Sequence, residues 1–593
     1  MKHVGFFIVT ALTLLFQLVL LELNKSRVWG FACAVLIAAL YVFLFLKFTN
    51  ELKGIVRFAC YIGWIALFVG LFFLAWPKTK AVKAVNAKSP ERTEVVYTDK
   101  GPVAGVKTED GAVEVFAGIP YAKPPVGELR FKEPVEPDPW TEVLIADTFA
   151  PMSMQPVDLP IVSSLKQIIG YHEYSLTFKD NFVEPVSEDS LYVNVWRPSA
   201  QEGSPLPVLV YIHGGSLQTG QPWYGDYSGE GLAREGVIVV NMGYRLGVFG
   251  FLALDELKAE SANGTTGNYG LLDQIAALEW VKKNIAVFGG DPDNVTVSGE
   301  SAGSACVSAL CASPLAKGLF KRAIMESSTV ASFEPPHSFR SFEDAIESGR
   351  ELMKRYGVSS VSELRALPAE KLVGEAYSQH HITVDGYALT ENPCYSYKKG
   401  EYNETAILHG FNSEESGPFI ILQHANLKNY ESKVRGAFAE YADEVLALYP
   451  AKTDAEADEY WAAMWGAVYF DYPHYCLNRL AAENGIPVYE YFFTKKNGRL
   501  GPWHSGELIY FFGNIPNGSK LFDGADIDLE KAMKGYYLNF IKYGDPNGEG
   551  LPEWKVNTSS VDVMELGSSL GMSKDKKIKL YEILDKMTGW ETK

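Results

Sequence analysis

The sequence has few cysteines, and their arrangement does not resemble a disulfide framework. The 593 residues include six cysteines, of which Cys33 and Cys60 lie in apolar runs. Cys306 and Cys311 stand at positions i and i+5 of one predicted helix, a spacing that does not favour a mutual bridge. This cysteine usage is typical of a chain kept in a reducing compartment.

The sequence also lacks an excess of positive charge, internal repeats and low-complexity segments. Its formal net charge is -18, and the acidic excess is concentrated after residue 77. Because phosphate backbones are bound by basic surfaces, the charge argues against nucleic acid as a partner. We interpret the acidity as a source of solubility.

Long hydrophobic runs, in contrast, are abundant near the N-terminus. Three of them cover residues 4–21, 29–46 and 55–76. Each is roughly long enough to cross a bilayer as a helix. A cleaved signal peptide would account for the first run alone, and buried helices of a soluble core are disfavoured because the runs lack a polar face. We predict a multi-pass membrane anchor at 1–77, a linker at 78–94 and one large domain at 95–593.

Basic residues around these runs give a weak indication of orientation. One group lies between the first two runs and after the third: Lys25, Arg27, Lys78, Lys80, Lys83, Lys88 and Arg92. The other group lies at or near the opposite ends: Lys2, Lys47, Lys53 and Arg57. The positive-inside rule then predicts that the large domain faces the cytoplasm.

After residue 95 the pattern changes to short β segments and amphipathic helices. PLPVLVYIHGG (205–215), GVIVVNMGYRLG (236–247) and NVTVSG (294–299) read as strands, the first two almost continuously apolar. Between the last two, the segment 271–290 is an amphipathic helix with apolar residues at helical spacing: Leu272, Ile275, Leu278, Val281 and Ile285. This alternation predicts an α/β fold with a mostly parallel central sheet and helices on both faces.

A nucleophile candidate lies where one of these strands is followed by a helix. The segment 295–305 reads VTVSGESAGSA, so Gly299-Glu300-Ser301-Ala302-Gly303 fits the pattern G-x-S-x-G at a strand-to-helix junction. A sharp turn there exposes the Ser301 hydroxyl, and the two glycines avoid a collision between strand and helix. The helix N-terminus also provides a free N–H at Ala302 for an oxyanion.

A second glycine-rich turn follows another predicted strand. Residues 211–217 read YIHGGSL. A flexible backbone at this position can direct N–H groups at a carbonyl oxygen above Ser301, which predicts an oxyanion hole. If the YIHGGSL motif stood without the G-x-S-x-G segment, a tight structural turn would be the preferred explanation. We interpret His213 as a packing residue.

With these motifs in place, the chain resembles the type B carboxylesterases. The matching stretches lie at 116–131, 187–196, 212–216, 268–304, 410–416, 503–513 and 539–554, and together they span nearly all of residues 95–555. The resemblance implies an α/β-hydrolase fold and hydrolysis of carboxylic esters through an acyl-enzyme. It implies no metal and no organic cofactor. The three apolar runs lie outside it.

The resemblance also implies the site residues. Ser301 matches the family's nucleophile, Glu415 in GFNSEE the triad acid, and His504 in WHSGE the base. Glu414 is the competing carboxylate by spacing, and Asp385 resembles a loop residue outside the triad. The family's oxyanion donors correspond to the N–H groups of Gly215, Ser216 and Ala302. Glu300 and Ser327 match buried polar positions beside the triad.

Three departures from the family bear on the substrate. Ser216 stands where many relatives have Gly or Ala, and Ser190 replaces a cysteine that relatives bridge to an upstream one. Residues 150–186 contain no tryptophan for a quaternary ammonium group, although Tyr171, Tyr174, Phe178 and Phe182 are present. We therefore expect an uncharged small-molecule ester.

Two other functions are compatible with the same fold. One is a non-catalytic, neuroligin-like binding protein, which is disfavoured because Ser301, Glu415 and His504 are all present. The other is hydrolysis of an amide, thioester or carbamate, which the sequence does not separate from ester hydrolysis. The prediction is a membrane-anchored serine carboxylesterase.

Overall fold

The structure is a computed structural model that describes residues 3–49, 54–169, 176, 178–179, 181–200, 203–328, 339–374, 381–496, 501–558 and 561–590. The chain forms two compact units. The first comprises Met1–Val82 and Val157–Pro185, and the second comprises Lys83–Pro156 and Val186–Lys593.

The first unit contains three long apolar helices, as the hydrophobic runs predict. They are α1 (Val4–Leu23), α2 (Val28–Leu44), which continues as a π-helix over Phe45–Thr49, and α3 (Gly54–Leu74). All three are long and apolar enough to cross a membrane. They pack closely: a Cβ added at Gly30 would lie 2.7 Å from the Cβ of Ala75.

The first unit also includes residues from within the predicted 95–593 domain. Helix α4 (Pro160–Ile169) packs on α1, and the short strand Phe182–Val183 pairs in parallel with Lys78–Thr79. The backbone N–H of Phe178 donates a hydrogen bond of 3.0 Å to Glu22 Oε2. Residues 157–185 therefore group with the apolar helices, although they interrupt the second unit in sequence.

The second unit is built around an 11-stranded sheet. Its strands are β1 (Val106–Lys107), β2 (Val113–Pro120), β3 (Tyr192–Pro198), β4 (Leu206–Ile212), β5 (Ile238–Met242), β6 (Gly290–Glu300), β7 (Arg322–Glu326), β8 (Ile407–Asn412), β9 (Val488–Phe493), β10 (Asp562–Leu566) and β11 (Leu570–Lys574). Their order across the sheet is β11-β10-β9-β8-β7-β6-β4-β5-β3-β2-β1. The strands from β5 to β10 pair in parallel, and the two ends of the sheet are antiparallel, which confirms the predicted α/β fold.

The helices of the second unit with at least ten residues are α5 (Tyr269–Asn284), α6 (Ala302–Ala312), α7 (Phe342–Tyr356), α8 (Asp454–Gly466), α9 (Tyr472–Glu483), α10 (Gly524–Tyr543) and α11 (Ile578–Thr588). Shorter helices cover Glu230–Ala233, Gly247–Phe251, Asp255–Glu260, Val361–Arg365, Ala369–Leu372, Pro393–Lys398, Tyr430–Phe438, Ala442–Leu448 and Leu508–Phe512. Short strands outside the central sheet lie at Val96–Tyr97, Pro102–Ala104, Leu144–Ile145, Met152–Ser153, Val186–Ser187, Phe339–Arg340 and Ile382–Thr383.

Helices cover both faces of the sheet at its centre. On β6, Val295 and Val297 pack in one apolar cluster with Cys306 of α6. Ser298 instead hydrogen-bonds to Tyr537 of α10, at 2.6 Å. Because successive strand residues face opposite sides of a sheet, α6 and α10 lie on opposite faces.

The parallel strands end together at one edge of the sheet. Ile212 of β4 pairs with Gly299 of β6, and Glu300 pairs with Glu326 of β7. Glu326 in turn pairs with Gly410 of β8. The loops that follow these strands therefore meet at the carboxyl edge, where ligands bind in α/β folds.

Candidate active site

Ser301 lies on a strained turn between β6 and α6. Its backbone has φ 56° and ψ -126°, a conformation that a side-chain-bearing residue adopts at a cost. A Cβ at Gly303 would collide with the carbonyl oxygen of Ile212, and a Cβ at Gly299 would lie 2.5 Å from the carbonyl carbon of Gly303. The two glycines therefore permit the close approach of strand and helix that the turn requires.

Hydrogen bonds hold this turn in place. The N–H of Ser301 donates to the carbonyl of Glu326 at 2.8 Å, and its carbonyl accepts from the N–H of Ala305 at 3.1 Å. The Ser301 side chain is partly exposed. Ser301 is therefore held on a fixed backbone with part of its surface open to solvent.

The HGGS turn after β4 adopts left-handed conformations at consecutive residues. The φ angles are 104° at Gly215, 59° at Ser216 and 58° at Leu217. Ser216 therefore occupies the region that favours glycine, at a cost of about 1 kcal/mol. The carbonyl of Gly215 accepts hydrogen bonds of 2.9 Å from the N–H groups of Gln218 and Thr219, which close the turn.

Three amide groups are available around this turn and the start of α6. Within the part of the chain that the structure describes, the N–H groups of Gly215, Ser216 and Ala302 donate to no other protein group. All three residues are partly exposed. Free amides at a helix N-terminus and a glycine turn can stabilise a developing negative charge.

His504 and Glu415 form a close pair. His504 Nδ1 lies 2.6 Å from Glu415 Oε2, and both side chains are buried. His504 Nε2 is buried and makes no hydrogen bond to any described residue, although Glu300 Oε1 lies 3.2 Å away. A carboxyl group in this position can orient an imidazole through one nitrogen and leave the other able to exchange a proton.

Burial dominates the electrostatics of Glu415. Desolvation raises its pKa to about 8, while a hydrogen bond from the backbone N–H of Asn412 acts to lower it. That N–H lies 2.6 Å from Glu415 Oε1.

Glu300 and Ser327 belong to a buried network beside this pair. Ser505 Oγ donates to Glu300 Oε1 at 2.5 Å, and Ser327 Oγ donates to Glu507 Oε1 at 3.2 Å. Burial raises the pKa of both Glu300 and Glu507 to about 7. Glu507 follows His504 by three residues in the loop before the helix Leu508–Phe512, and nothing in the sequence predicted a role for it.

The competing residues lie in other surroundings. Glu414 is exposed and pairs with Lys496 at 2.9 Å. Asp385 accepts hydrogen bonds from the N–H groups of Tyr387 and Leu389. His213 is buried with its ring 4.6 Å from that of Tyr244, and burial lowers its pKa to about 4. Within the described part of the chain, His504 makes no hydrogen bond, ion pair or ring contact with Glu414, Asp385 or His213.

His504 is surrounded by aromatic residues that were not predicted from the sequence. The rings of Phe419 and Phe470 lie 5.1 and 4.7 Å from the His504 ring. Trp465 stacks on Phe419 at 5.5 Å. Phe470 lies in a π-helix (Ala467–Asp471) between α8 and α9, and such insertions often occur at functional sites. No local sequence signal marks this insertion.

Ser190 has a serine partner. Its hydroxyl lies 2.9 Å from that of Ser153, which also donates to the carbonyl of Tyr244 at 2.6 Å. Two serines thus lie together where relatives are expected to have a disulfide. Of the four aromatic residues noted at 150–186, Phe178 and Phe182 belong to the first unit, and Tyr171 and Tyr174 lie outside the described residues.

The described residues contain no cluster of three or more His, Cys, Asp or Glu side chains able to hold a metal ion. The groups that meet at this site are a hydroxyl, an imidazole, carboxyls and backbone amides. These groups are sufficient for acyl transfer.

Most of the chain is similar in sequence to known carboxylesterases. The model of the carboxylesterase family matches residues 92–582. The chain is 31% identical over 538 residues to the fumonisin B1 esterase of Sphingopyxis macrogoltabida, covering 86% of this chain and 94% of that protein. It is 33% identical over 522 residues to human cocaine esterase, covering 81% and 88%.

A solved structure extends the similarity to the fold. A carboxylesterase of Geobacillus stearothermophilus superposes with a TM-score of 0.71 and 32% sequence identity. The alignment covers 83% of this chain and all of that one. The sheet described above is therefore that of an α/β-hydrolase.

Proposed function

Because the chain belongs to the carboxylesterase family and is a carboxylic ester hydrolase, we propose that it works as a serine esterase with Ser301, His504 and Glu415 as its triad. In this proposal Ser301 is the nucleophile and His504 the general base. Glu415 fixes the tautomer of the ring and stabilises the imidazolium.

The proposed reaction proceeds in two steps. His504 Nε2 takes the Ser301 proton as Oγ attacks the ester carbonyl, and the oxyanion is bound by the N–H groups of Gly215, Ser216 and Ala302. The imidazolium then protonates the leaving alkoxide. Water, activated by His504, hydrolyses the acyl-enzyme and regenerates the Ser301 hydroxyl.

The observation that carries the proposal is the state of His504. Its Nδ1 is held by Glu415 at 2.6 Å, while its buried Nε2 makes no hydrogen bond to any described residue. A histidine in a purely structural role would normally satisfy both nitrogens. Glu300, which lies 3.2 Å from Nε2, is also the residue before Ser301 in the chain, and this supports Ser301 as the nucleophile that His504 serves.

We further propose that the three apolar helices anchor the enzyme in a membrane. The anchor would comprise residues 1–77, followed by a linker and a hydrolase domain from residue 95. The distribution of basic residues favours a cytoplasmic position for that domain. An uncharged ester suits the site, because the residues around His504 are aromatic and apolar.

Replacement of the nucleophile tests the proposed chemistry. The variant Ser301→Ala should lose nearly all hydrolysis of para-nitrophenyl acetate, by about 10⁴-fold or more in kcat, because no acyl-enzyme can form. The release of para-nitrophenol measures the rate, and circular dichroism checks the fold.

Ser313→Ala is the matched control. Ser313 is a buried serine just after α6, and its hydroxyl has no hydrogen-bond partner among the described residues. This variant should keep its activity within a few-fold of the parent. Turnover retained by Ser301→Ala, with an intact fold, would refute the assignment.

A further inference from the structure

A tight turn near the triad places two large apolar side chains in solvent. The N–H of Gln423 donates to the carbonyl of Ile420 at 2.7 Å, so Ile421 and Leu422 occupy the two central positions of a β-turn. Ile421 is 64% exposed and Leu422 is 95% exposed. Central positions of such turns usually hold Gly, Pro, Asn or Asp, so Ile and Leu are unusual there. We call Ile421 and Leu422 the tip.

The tip is held on a rigid base. Ile420 is only 4% exposed and packs in the main apolar core. On the other side, Asp458 receives a hydrogen bond of 2.8 Å from the N–H of Ala425 and pairs with His424 at 2.8 Å. Lys433 Nζ donates to the carbonyl of Gln423 at 3.0 Å. The apolar side chains are therefore displayed on a fixed support.

The chain segment that carries the tip begins at Glu415 of the proposed triad. Within it, the N–H groups of Phe419 and Ile420 donate to the carbonyl of Ser416 at 2.9 and 3.2 Å. Phe419 is 38% exposed, yet its ring lies 5.1 Å from the His504 ring. Phe419 thus lies only two residues before Ile421 in the chain and contacts the imidazole, so one short segment carries both the exposed apolar residues and a neighbour of His504.

The size of the tip indicates what covers it. A stable protein interface buries about 1,200–2,000 Å² in total, far more than two side chains provide. A lipid surface has no such minimum, because each hydrocarbon group gains independently on leaving water. The chain also carries three helices long and apolar enough to cross a membrane. A bilayer is therefore the occupant that best fits the tip.

We propose that Ile421 and Leu422 insert into the surface of a bilayer, and that the enzyme takes esters whose hydrocarbon chains reside in that bilayer. This inference rests on the proposed serine esterase activity. It names the substrate class: lipid-dissolved esters with long hydrocarbon chains rather than freely soluble ones. Phe419 then receives the chain as it leaves the lipid.

Two substrates separate the inference from the proposed function. The full chain is reconstituted in phosphatidylcholine vesicles and given either para-nitrophenyl acetate in water or para-nitrophenyl palmitate dissolved in the vesicles. In the double variant Ile421→Ser/Leu422→Ser, the rate of para-nitrophenyl palmitate hydrolysis should fall by about tenfold or more. The rate of para-nitrophenyl acetate hydrolysis should stay unchanged. Ile527→Ser, at an exposed apolar site on α10, is the control and should change neither rate.

The outcomes are distinct. Equal losses on both substrates, or no loss on either, would overturn the inference while leaving the esterase intact. A parent enzyme that cleaves the acetate but not the palmitate would also overturn it alone. Failure of the parent to cleave the acetate would instead contradict the proposed function.

A fluorophore at the tip provides a readout independent of activity. Leu422→Cys is labelled with a polarity-sensitive dye in a Cys33→Ala/Cys60→Ala background, because the other four cysteines are buried. Lipids that carry a nitroxide on the acyl chain should quench the dye at position 422 and spare one attached through Ile527→Cys. Equal quenching at both positions, or none at 422, would exclude insertion, including the case in which a protein partner covers the tip.

Discussion

At the scale of single residues, four buried carboxyl groups set the electrostatics beside the proposed triad. They come from different elements: Glu300, Glu326, Glu415 and Glu507. Burial raises the pKa of each, and repulsion among them contributes to the rise at Glu300, Glu326 and Glu507. Glu300, Glu326 and Glu507 therefore hold protons at a pH at which the same side chains of the unfolded chain release them.

This difference predicts how stability depends on pH. The pKa of Glu507 is raised from 4.5 to about 7 in the folded state. The stability contributed by the protonated carboxyl is fully present below pH 4.5 and is lost as the pH rises through about 7. Thermal unfolding of the full chain in detergent should therefore show a Tm that falls between pH 5 and pH 8. Glu507→Gln should make the free energy of unfolding depend less on pH, with a difference on the order of 1–3 kcal/mol across this window.

An exposed glutamate provides the control for this measurement. Glu549→Gln, at a solvent-exposed position, should leave the slope as it is in the parent. A Glu507→Gln variant that folds normally but retains the full slope would show that other groups account for the dependence.

The sequence marks Glu300 by its place in GESAG, but nothing local marks Glu326 or Glu507 as members of the cluster.

At the scale of elements, the sequence predicted the strands and the turn that carry the nucleophile. The apolar run 205–215 corresponds to β4 and the segment 294–299 to the end of β6, because buried parallel strands require continuous apolar residues. The π-helix Ala467–Asp471 had no such signal. It depends on packing between α8 and α9, so the aromatic surroundings of His504 could not be anticipated.

A second element-scale feature is the pair formed by Ser153 and Ser190, whose Oγ atoms lie 2.9 Å apart. Ser153 ends the strand Met152–Ser153, and Ser190 lies three residues after the parallel partner strand Val186–Ser187. A disulfide needs Cβ atoms roughly 4 Å apart, and two hydroxyls in hydrogen-bond contact show that the two side chains point at each other. The double variant Ser153→Cys/Ser190→Cys should therefore form a bridge on mild oxidation, detected by loss of two alkylatable thiols and by faster non-reducing electrophoresis.

The single variants are the controls for this bridge. Ser153→Cys and Ser190→Cys should each retain one additional reactive thiol, since the four native cysteines of the second unit are buried. If both thiols of the double variant stay free after oxidation while the fold is normal, the side chains at positions 153 and 190 do not lie in contact as described.

At the scale of the whole molecule, the chain combines an acidic hydrolase domain with an apolar helical unit. The three apolar helices could be predicted from length and hydropathy alone. The inclusion of residues 157–185 in that unit could not, because it depends on contacts between distant residues, such as the hydrogen bond from Phe178 to Glu22. The order of strands across the sheet likewise emerges only from tertiary pairing.

The central claim is that His504 activates Ser301, and a covalent probe tests it most directly. The full chain in detergent is treated with a fluorophosphonate, and the modified residue is identified by peptide mass spectrometry. The account predicts one adduct, on Ser301, with a labelling rate about 100-fold or more slower in His504→Gln because the base is lost. An adduct on another residue, or a rate on Ser301 that does not depend on His504, would contradict it.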